Sequence, residues 1–438
     1  MSYPKMVRIR QLFDVPPPVE DVPQAVRQAI GPLRPSLTIR PRETVAVTAG
    51  SRGVANIAVI TRTLVEELRG MGALPFIVPA MGSHGGATAE GQVDVLRHFG
   101  ITEESMGVPI KSSMKVVQIG ETLGFPVYLD KIASEADHIA LVARIKPHTD
   151  FKGEIESGFY KMMTIGLGKH KGAATYHRAF PRYGYAKTLQ NIGREVLKKA
   201  RIAFGLGVVE NAYDQTAKIE AVLPKEMEEK EVELLRVAKS WMMKLPFDEI
   251  AVLIMDEIGK NVSGQGMDTN VIGRLPHSFG EPFGPKIARI AVLDLTEATN
   301  GNALGIGMAD FTTSRLVRKI NRSVTYVNAL TAMTPDAAKI PSYFETDREA
   351  IAAALDTIGL VEPQAAKVIR IKNTLTLDEV EISEAYLHLL KERKDLVQLS
   401  EPKEIQFNEH GNLIPLAPHE THSFETHAIP FGALANAG

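Results

Sequence analysis

The sequence contains no cysteine. Disulfides, thiolate zinc sites, cysteine-ligated iron–sulfur clusters and a cysteine nucleophile are therefore excluded, and histidine, aspartate and glutamate remain as strong metal ligands. The formal net charge of −2 gives no overall attraction to nucleic acid or to anionic membranes. No apolar run approaches the roughly 18 residues of a transmembrane helix, and the first twenty residues lack the apolar segment of a signal peptide. We expect a cytoplasmic protein that binds neither nucleic acid nor membranes.

The chain is long enough, and apolar enough, to form more than one hydrophobic core. It has 438 residues, of which 44% are apolar and 23% charged, a composition typical of soluble globular proteins. One core seldom serves more than about 250–300 residues, so two domains are expected.

Apolar, β-branched segments alternate with helical patterns through the first half of the chain. The predicted strands cover residues 44–50, 74–80, 138–145 and 201–209. Strands separated by helices in this way predict a mostly parallel sheet with helices on both faces. An amphipathic helical pattern at 225–245 then precedes a restart of the alternation near residue 249.

We therefore predict an α/β protein built from two α/β domains with mostly parallel sheets and an active site in the cleft between them. The predicted N-terminal domain covers residues 1–245 and the C-terminal domain residues 246–400. The remaining residues, 401–438, form an irregular tail that could pack back on the first domain.

Three of the predicted strands run into conspicuous polar residues. The first is followed by Ser51 and Arg52, the second by His84 and the third by His148. Ligands of open α/β sheets bind at the carboxyl ends of the strands, so these residues are candidates for one site. An arginine fork suits a carboxylate or phosphate, and two histidines suit proton transfer near neutral pH.

The stretch SGFYKMMTIGLGKHKGAATYH (157–177) combines glycines and positive charges with an apolar run. It is not a phosphate-binding P-loop, because Met163 stands where the first glycine is required and His170 replaces the serine or threonine. A dinucleotide-binding fingerprint is disfavoured too, since no acidic residue follows at the expected distance.

The residues discussed so far are also compatible with two other functions. His148 and the nearby carboxylates Asp150, Glu154 and Glu156 could bind a hydrolytic metal without any organic cofactor, although no His-x-x-x-His or His-x-His spacing supports it. A non-catalytic small-molecule binding protein is the other alternative.

Several of these residues together resemble the N-terminal domain of the nickel-dependent lactate racemase family, in order and in spacing. The matching positions are Ser51-Arg52, His84-x-x-x-Thr88-x-Glu90, Pro147-His148, Ser157-Gly158-x-x-Lys161 and His177.

The resemblance implies a nickel-pincer nucleotide, pyridinium-3-thioamide-5-thiocarboxylic acid mononucleotide, on Lys161, supplied by cofactor-maturation enzymes in trans. It also implies that His177 is the protein ligand of the nickel ion. We expect Ser51, Ser157 and Lys169 to contact the cofactor, Lys169 by neutralising its phosphate.

The implied activity is that of an isomerase, a racemase or epimerase that inverts C2 of a 2-hydroxy acid. One of His84 and His148 takes the 2-hydroxyl proton, the C2 hydride passes to the cofactor, and the planar keto acid takes it back on the other face. Arg52 would bind the substrate carboxylate.

The chain also departs from the family pattern. Ala49 stands where the family usually has an acidic residue three positions before the arginine. The stretch DEIGKNVSGQGMDTN (256–270) lacks the Tyr-Gln pair of lactate-active members and has no lysine at the position of their substrate-site lysine. It offers Lys260, Gln265 and Asp268 as substrate contacts instead. More hydrogen-bonding groups and fewer cations suggest a larger, hydroxylated 2-hydroxy acid.

Overall fold

The computed structural model describes residues 3–51, 53–276 and 283–416, which form two compact units. The N-terminal unit begins at Val15 and ends at Met242. The C-terminal unit contains the described residues from Met243 onward together with residues 3–14. The predicted N-terminal domain, residues 1–245, differs from this division at its beginning. The physical reason is that the first strand, β1 (Met6–Gln11), pairs only with strands from the end of the chain.

The N-terminal unit contains seven strands in two sheets. They are β2 (Thr44–Ala49), β3 (Leu74–Pro79), β4 (Val116–Thr122), β5 (Phe125–Asp130), β6 (His138–Arg144), β7 (Ile202–Glu210) and β8 (Thr216–Val222). Five of them form a sheet of order β3-β2-β6-β7-β8, in which only β7 and β8 are antiparallel. Strands β4 and β5 form a separate antiparallel pair. Because β2, β3, β6 and β7 are parallel, their carboxyl ends lie along one edge of the sheet.

Helices cover both faces of this five-stranded sheet, as predicted. They are α1 (Val22–Ile30), α2 (Ile57–Gly70), α3 (Ala89–His98), α4 (Glu103–Met106), α5 (Lys131–Glu135), α6 (Phe159–Lys161), α7 (Leu167–Tyr183), α8 (Tyr185–Lys199) and α9 (Met227–Trp241). Residues Met162–Gly166, between α6 and α7, form a π-helix. One apolar core contains side chains of α1, α2 and α3, and another contains side chains of α6, α8 and α9. The buried strands read as nearly continuous apolar runs because both faces are covered.

The C-terminal unit is built on an eight-stranded sheet of order β12-β11-β10-β9-β13-β14-β1-β15. Its further strands are β9 (Glu249–Met255), β10 (Lys286–Val292), β11 (Phe311–Thr313), β12 (Ser342–Phe344), β13 (Val368–Ile371), β14 (Glu379–Ser383) and β15 (Leu396–Gln398). Its helices are α10 (Thr269–Ile272), α11 (Ser314–Lys319), α12 (Arg322–Thr331), α13 (Asp347–Asp356) and α14 (Leu387–Leu390). The strands from β12 to β13 are parallel and the other pairs are antiparallel. The prediction of two α/β units with mostly parallel sheets is confirmed.

The described part of the predicted tail, residues 401–416, packs on the C-terminal unit instead of the first domain. Lys403 forms a β-bridge with Met6, and the Leu413 N–H donates to Asp347 Oδ2 at 2.8 Å. The rest of the predicted tail lies outside the described residues. No helix in the described parts of the chain is long and apolar enough to cross a bilayer.

Candidate active site

The structure brings Ser51 and His84 into contact at the carboxyl ends of two neighbouring parallel strands. Ser51 follows β2 and His84 follows β3, and the Ser51 hydroxyl makes a hydrogen bond with His84 Nδ1. The His84 side chain is on the exposed side of the loop 80–88, called here the His84 loop. Arg52 lies outside the described residues, so its predicted role stays a prediction.

The His84 loop lies close against helix α3. A Cβ atom at Gly85 would come within 2.6–2.7 Å of the backbone of Gly91 and Gln92, so only glycine fits this approach, and its φ of +68° suits glycine as well. The Gln92 side chain, which is fully buried, donates from Nε2 to the carbonyls of Gly82 (2.9 Å) and His84 (3.2 Å). The loop is therefore fixed by a buried amide of α3.

Lys169 is fully buried, and its ammonium group contacts groups of the protein. Its Nζ donates to the Pro79 carbonyl (2.5 Å) and to Gln92 Oε1 (2.9 Å), and lies 3.2 Å from Asp130 Oδ2. The predicted contact of Lys169 with a cofactor phosphate stays a prediction. Burial lowers the pKa of Lys169 and raises the pKa of Asp130, and each charge partly offsets the effect on the other.

The backbone explains why Lys169 points inward. Its φ of 54° and ψ of −164° break the regular geometry of α7, although it is not a glycine. Such a conformation costs about 1–3 kcal/mol and persists only where the surroundings over-determine it. The kink turns the lysine out of the helical register and towards the end of β3, the side chain of Gln92 and the end of β5.

A buried carboxylate organises the loop that carries His148. In this segment (145–157, the His148 loop), Glu156 Oε2 accepts the His148 N–H (2.7 Å), while Oε1 accepts the Gly153 N–H (3.1 Å) and Lys239 Nζ (2.6 Å). Glu156 is fully buried, whereas the Lys239 side chain is 40% exposed. Glu156 therefore stabilises the His148 loop through hydrogen bonds from its backbone N–H groups.

The ring of His148 has a defined hydrogen-bond arrangement. The Asp150 N–H donates to His148 Nδ1 at 3.0 Å, so the neutral imidazole carries its proton on Nε2. Asp150 Oδ2 lies 3.7 Å from the same Nδ1, and its charge would stabilise a proton placed there. Protonation of Nδ1 would break the hydrogen bond from the Asp150 N–H and leave the Asp150 carboxylate as the partner of that nitrogen.

Lys161 lies beside Ser157, in the segment that follows the His148 loop. Its Nζ donates to Ser157 Oγ at 3.2 Å, and the Ser157 carbonyl accepts the Lys146 N–H at 3.0 Å, next to Pro147-His148. The Lys161 side chain is half-buried. The helix widens into the π-helical segment directly after this lysine, a local geometry frequent at functional sites.

Helix α6, which ends at Lys161, is capped by a buried carboxyl from α9. Glu231 Oε2 accepts the Tyr160 N–H at 2.9 Å, and a Cβ at Gly158 would come within 2.6 Å of Glu231 Oε1, so the approach requires glycine. Burial raises the pKa of Glu231 to about 8.

His177 presents a nitrogen suited to a metal ion. Its Nδ1 lies 2.6 Å from the Ala173 carbonyl, which can only accept, so Nδ1 carries the proton and Nε2 keeps its lone pair. Burial lowers the pKa of His177, and the charge of Lys161 lowers it further, whereas the Ala173 hydrogen bond and Asp150 raise it. A neutral imidazole oriented by a backbone carbonyl is a typical metal ligand.

A continuous series of aromatic rings joins His148 to His177. His148 stacks on Phe151 (ring centroids 4.5 Å apart), Phe151 on Tyr185 (4.9 Å) and Tyr185 on Phe180 (4.1 Å), and Phe180 meets His177 edge-on at 5.1 Å. The rings of His148 and His177 are therefore connected through the contacts of three aromatic side chains.

The substrate residues predicted in the C-terminal unit lie together in the loop 259–273. Lys260 Nζ donates to the Gly264 carbonyl at 2.5 Å, and Asp268 Oδ1 accepts the Asn270 N–H at 2.8 Å as the cap of α10. Gln265 is buried. The observed bonds of Lys260 and Asp268 stabilise the loop itself, and substrate contacts by the three residues stay predictions.

Sequence reasoning missed the residues that hold the loops. Gln92 and Lys239 carried no signal, and Glu156 was considered only as a metal ligand. Glu210 was missed too: its Oε1 accepts the Ala55 N–H at 2.7 Å, just beyond Arg52, and its Oε2 pairs with Arg144 at 2.7 Å. Residues of this kind look ordinary in a sequence because their role depends on a fold that brings distant segments together.

Among the residues that the structure describes, no three His, Asp or Glu side chains are close enough together to hold a metal ion. Comparison with protein families matches residues 5–187 to the family model described as the lactate racemase N-terminal domain. Among solved structures, the chain is similar to the lactate racemase apoprotein from Thermoanaerobacterium thermosaccharolyticum. That similarity has a TM-score of 0.50 and 15% sequence identity, and covers 85% of this chain and 99% of the other. At this identity it supports the fold alone. The comparison with curated proteins gave no match.

Proposed function

We propose that this protein is a racemase or epimerase of 2-hydroxy acids, because its residues 5–187 match the family model of the lactate racemase N-terminal domain. The observation that carries the proposal is the clustering of candidate residues in the N-terminal unit. His84 and His148 follow parallel strands of one sheet, and aromatic stacking joins His148 to His177.

The residues present fit a nickel-pincer nucleotide. Lys161 offers a half-buried amine beside the Ser157 hydroxyl, suited to an amide-type linkage, and His177 offers a single neutral Nε2. One imidazole is an incomplete ligand set, which suits a metal whose other ligands belong to the cofactor. When bound, this group supplies the acceptor for the C2 hydride of the substrate. Ser51 and Ser157 are the proposed hydroxyl contacts of the cofactor.

The two histidines are the proposed proton-transferring residues. His84 is oriented by Ser51, and His148 lies in a loop fixed by Glu156, with Asp150 placed to stabilise its imidazolium form. Two proton-transfer groups allow the 2-hydroxyl proton to leave and return for both configurations at C2. Arg52 remains the proposed partner of the substrate carboxylate.

Intact mass spectrometry of protein co-expressed with the cofactor-maturation enzymes tests the proposal. We expect a sulfur-containing mononucleotide adduct and bound nickel. Both should be lost in Lys161→Ala and kept in Lys171→Ala, which removes an exposed lysine further along the same helical segment. An unmodified, nickel-free wild-type protein from such a host would contradict the proposal.

Activity should then be measured on a panel of 2-hydroxy acids by chiral chromatography, with lactate and larger hydroxylated acids side by side. We expect C2 inversion that is lost in both His84→Ala and His148→Ala. A panel without any inversion would favour the non-catalytic binding protein. The structure does not favour Glu156 as a ligand of a hydrolytic metal, because both of its oxygens already accept hydrogen bonds from protein donors.

A further inference from the structure

A buried polar path connects the helical segment of Lys161 and His177 to the loop of His84. We infer that Lys169 is a positioning residue: acting through Gln92, it fixes the His84 loop relative to that helical segment. The catalytic consequence of this inference rests on the proposed function, whereas its structural consequence can be measured without it.

The ammonium group of Lys169 contacts three separate parts of the fold. It donates hydrogen bonds to Pro79 O at the end of β3 and to Gln92 Oε1 on α3, and it forms an ion pair with Asp130 Oδ2 at the end of β5. The side chains of Lys169, Gln92 and Asp130 all have no solvent exposure. Water therefore has no access to replace any of these partners.

Lys169 also decides which way the Gln92 amide faces. An ammonium group can only donate, so the amide oxygen must face Lys169 and the amide NH₂ must face the loop. Both amide hydrogens are then directed to the loop carbonyls of Gly82 and His84. Without the lysine, the amide would have no such reason to present its donors to the His84 loop.

The strained backbone of Lys169 supports the same inference. A glycine would adopt a φ of 54° without strain, and Gly168 and Gly172 show that the surrounding helix accommodates glycine. The chain instead keeps a lysine in this conformation, and the conformation brings the lysine to Gln92. Strain of this kind is concentrated at functional sites.

The competing explanation is that Lys169 only neutralises Asp130. Two variants separate the two explanations. Gln92→Met cuts the path but keeps the Lys169–Asp130 pair. The double variant Lys169→Met/Asp130→Asn removes both charges together, so that no unpaired charge stays buried. Gln28→Met makes the same glutamine-to-methionine change at an exposed position of α1 and is the matched control for Gln92→Met.

Backbone hydrogen exchange in the unloaded protein is the first measurement. The amides of His84, Ala87 and Thr88 donate to Met81, Ser83 and Gly85 carbonyls within the loop. We expect these amides to exchange about tenfold faster in Gln92→Met and in the double variant, and at the wild-type rate in Gln28→Met. Unchanged exchange in Gln92→Met or in the double variant would overturn the inference.

Kinetics of the mature protein are the second measurement. We expect Gln92→Met to lower kcat about 10–100-fold with KM within about twofold of wild type, because a displaced histidine slows the reaction more than it weakens substrate binding. The Lys161 adduct and the nickel content should stay at wild-type levels. Loss of the adduct, or a raised KM with unchanged kcat, would overturn the positioning role. If wild-type mature protein inverts no 2-hydroxy acid, the proposed function fails, while hydrogen exchange still decides the inference.

Discussion

The two loops that carry the candidate histidines are held by opposite chemistry. In the His84 loop, backbone carbonyls accept hydrogen bonds from the Gln92 amide, whereas in the His148 loop, backbone N–H groups donate to the Glu156 carboxylate. Each arrangement is completed by a lysine from a helix. Lys169 is completely buried, but the side chain of Lys239 is 40% exposed.

This difference in exposure separates a buried ion pair from one that water can partly replace. Removing one partner of a buried pair leaves a charge without solvent, while an exposed lysine leaves a place that water and salt can fill. A third carboxyl, Glu231, caps the segment of Lys161, and within the described residues no cation pairs with it. The buried carboxyl groups of Asp130, Glu156 and Glu231 therefore differ in the cation that accompanies them: a buried lysine, a partly exposed lysine and none among the described residues. Mutation can compare the three directly.

The largest expected effect is that of Lys169→Met. The substitution leaves Asp130 buried without its cation, so we expect the free energy of unfolding to fall by about 3–5 kcal/mol, as measured by urea denaturation. Asp130→Asn in the same background should restore part of this loss. A loss below about 1 kcal/mol for Lys169→Met would show that the pair is replaceable and would remove the contrast with Lys239.

The sequence predicted the strand ends better than it predicted the side chains beyond them. Parallel strands place their carboxyl ends along one edge of a sheet, so Ser51, His84 and His148 could be grouped from the strand–helix alternation alone. The burial of Lys169 beside Pro79, Gln92 and Asp130 could not be predicted, because a lysine in a glycine-rich segment is expected at the surface and its unusual φ of 54° has no sequence signal. The role of Gln92 could not be predicted, since a glutamine on a helix has no distinctive sequence signal and its contact with the loop depends on the fold.

A smaller effect, dependent on pH, is expected for Glu231→Gln. The folded protein retains the Glu231 proton up to a pKa of about 8, whereas the unfolded chain releases it near the ordinary value of 4.5. Wild-type stability should therefore fall as pH rises from about 4.5 to 8, and the glutamine variant should lack this contribution. We expect the variant to gain about 1–3 kcal/mol relative to wild type between pH 5 and 8, measured by urea denaturation. Glu229→Gln, at an exposed position of α9, should follow the wild-type dependence.

The smallest effect is expected for Lys239→Met, which removes the partly exposed lysine of the His148 loop. Glu156 keeps the N–H groups of His148 and Gly153 after the substitution, and water can reach the place of the half-exposed ammonium group. We therefore expect a loss of about 1 kcal/mol, which should shrink further at high salt because exposed charges are screened. The Lys169→Met loss should not depend on salt. An equal loss of stability for Lys239→Met and Lys169→Met at every ionic strength would contradict this prediction. Exposure of the lysine would then not distinguish the two loops, and Glu156 would depend on its cation as fully as Asp130 does.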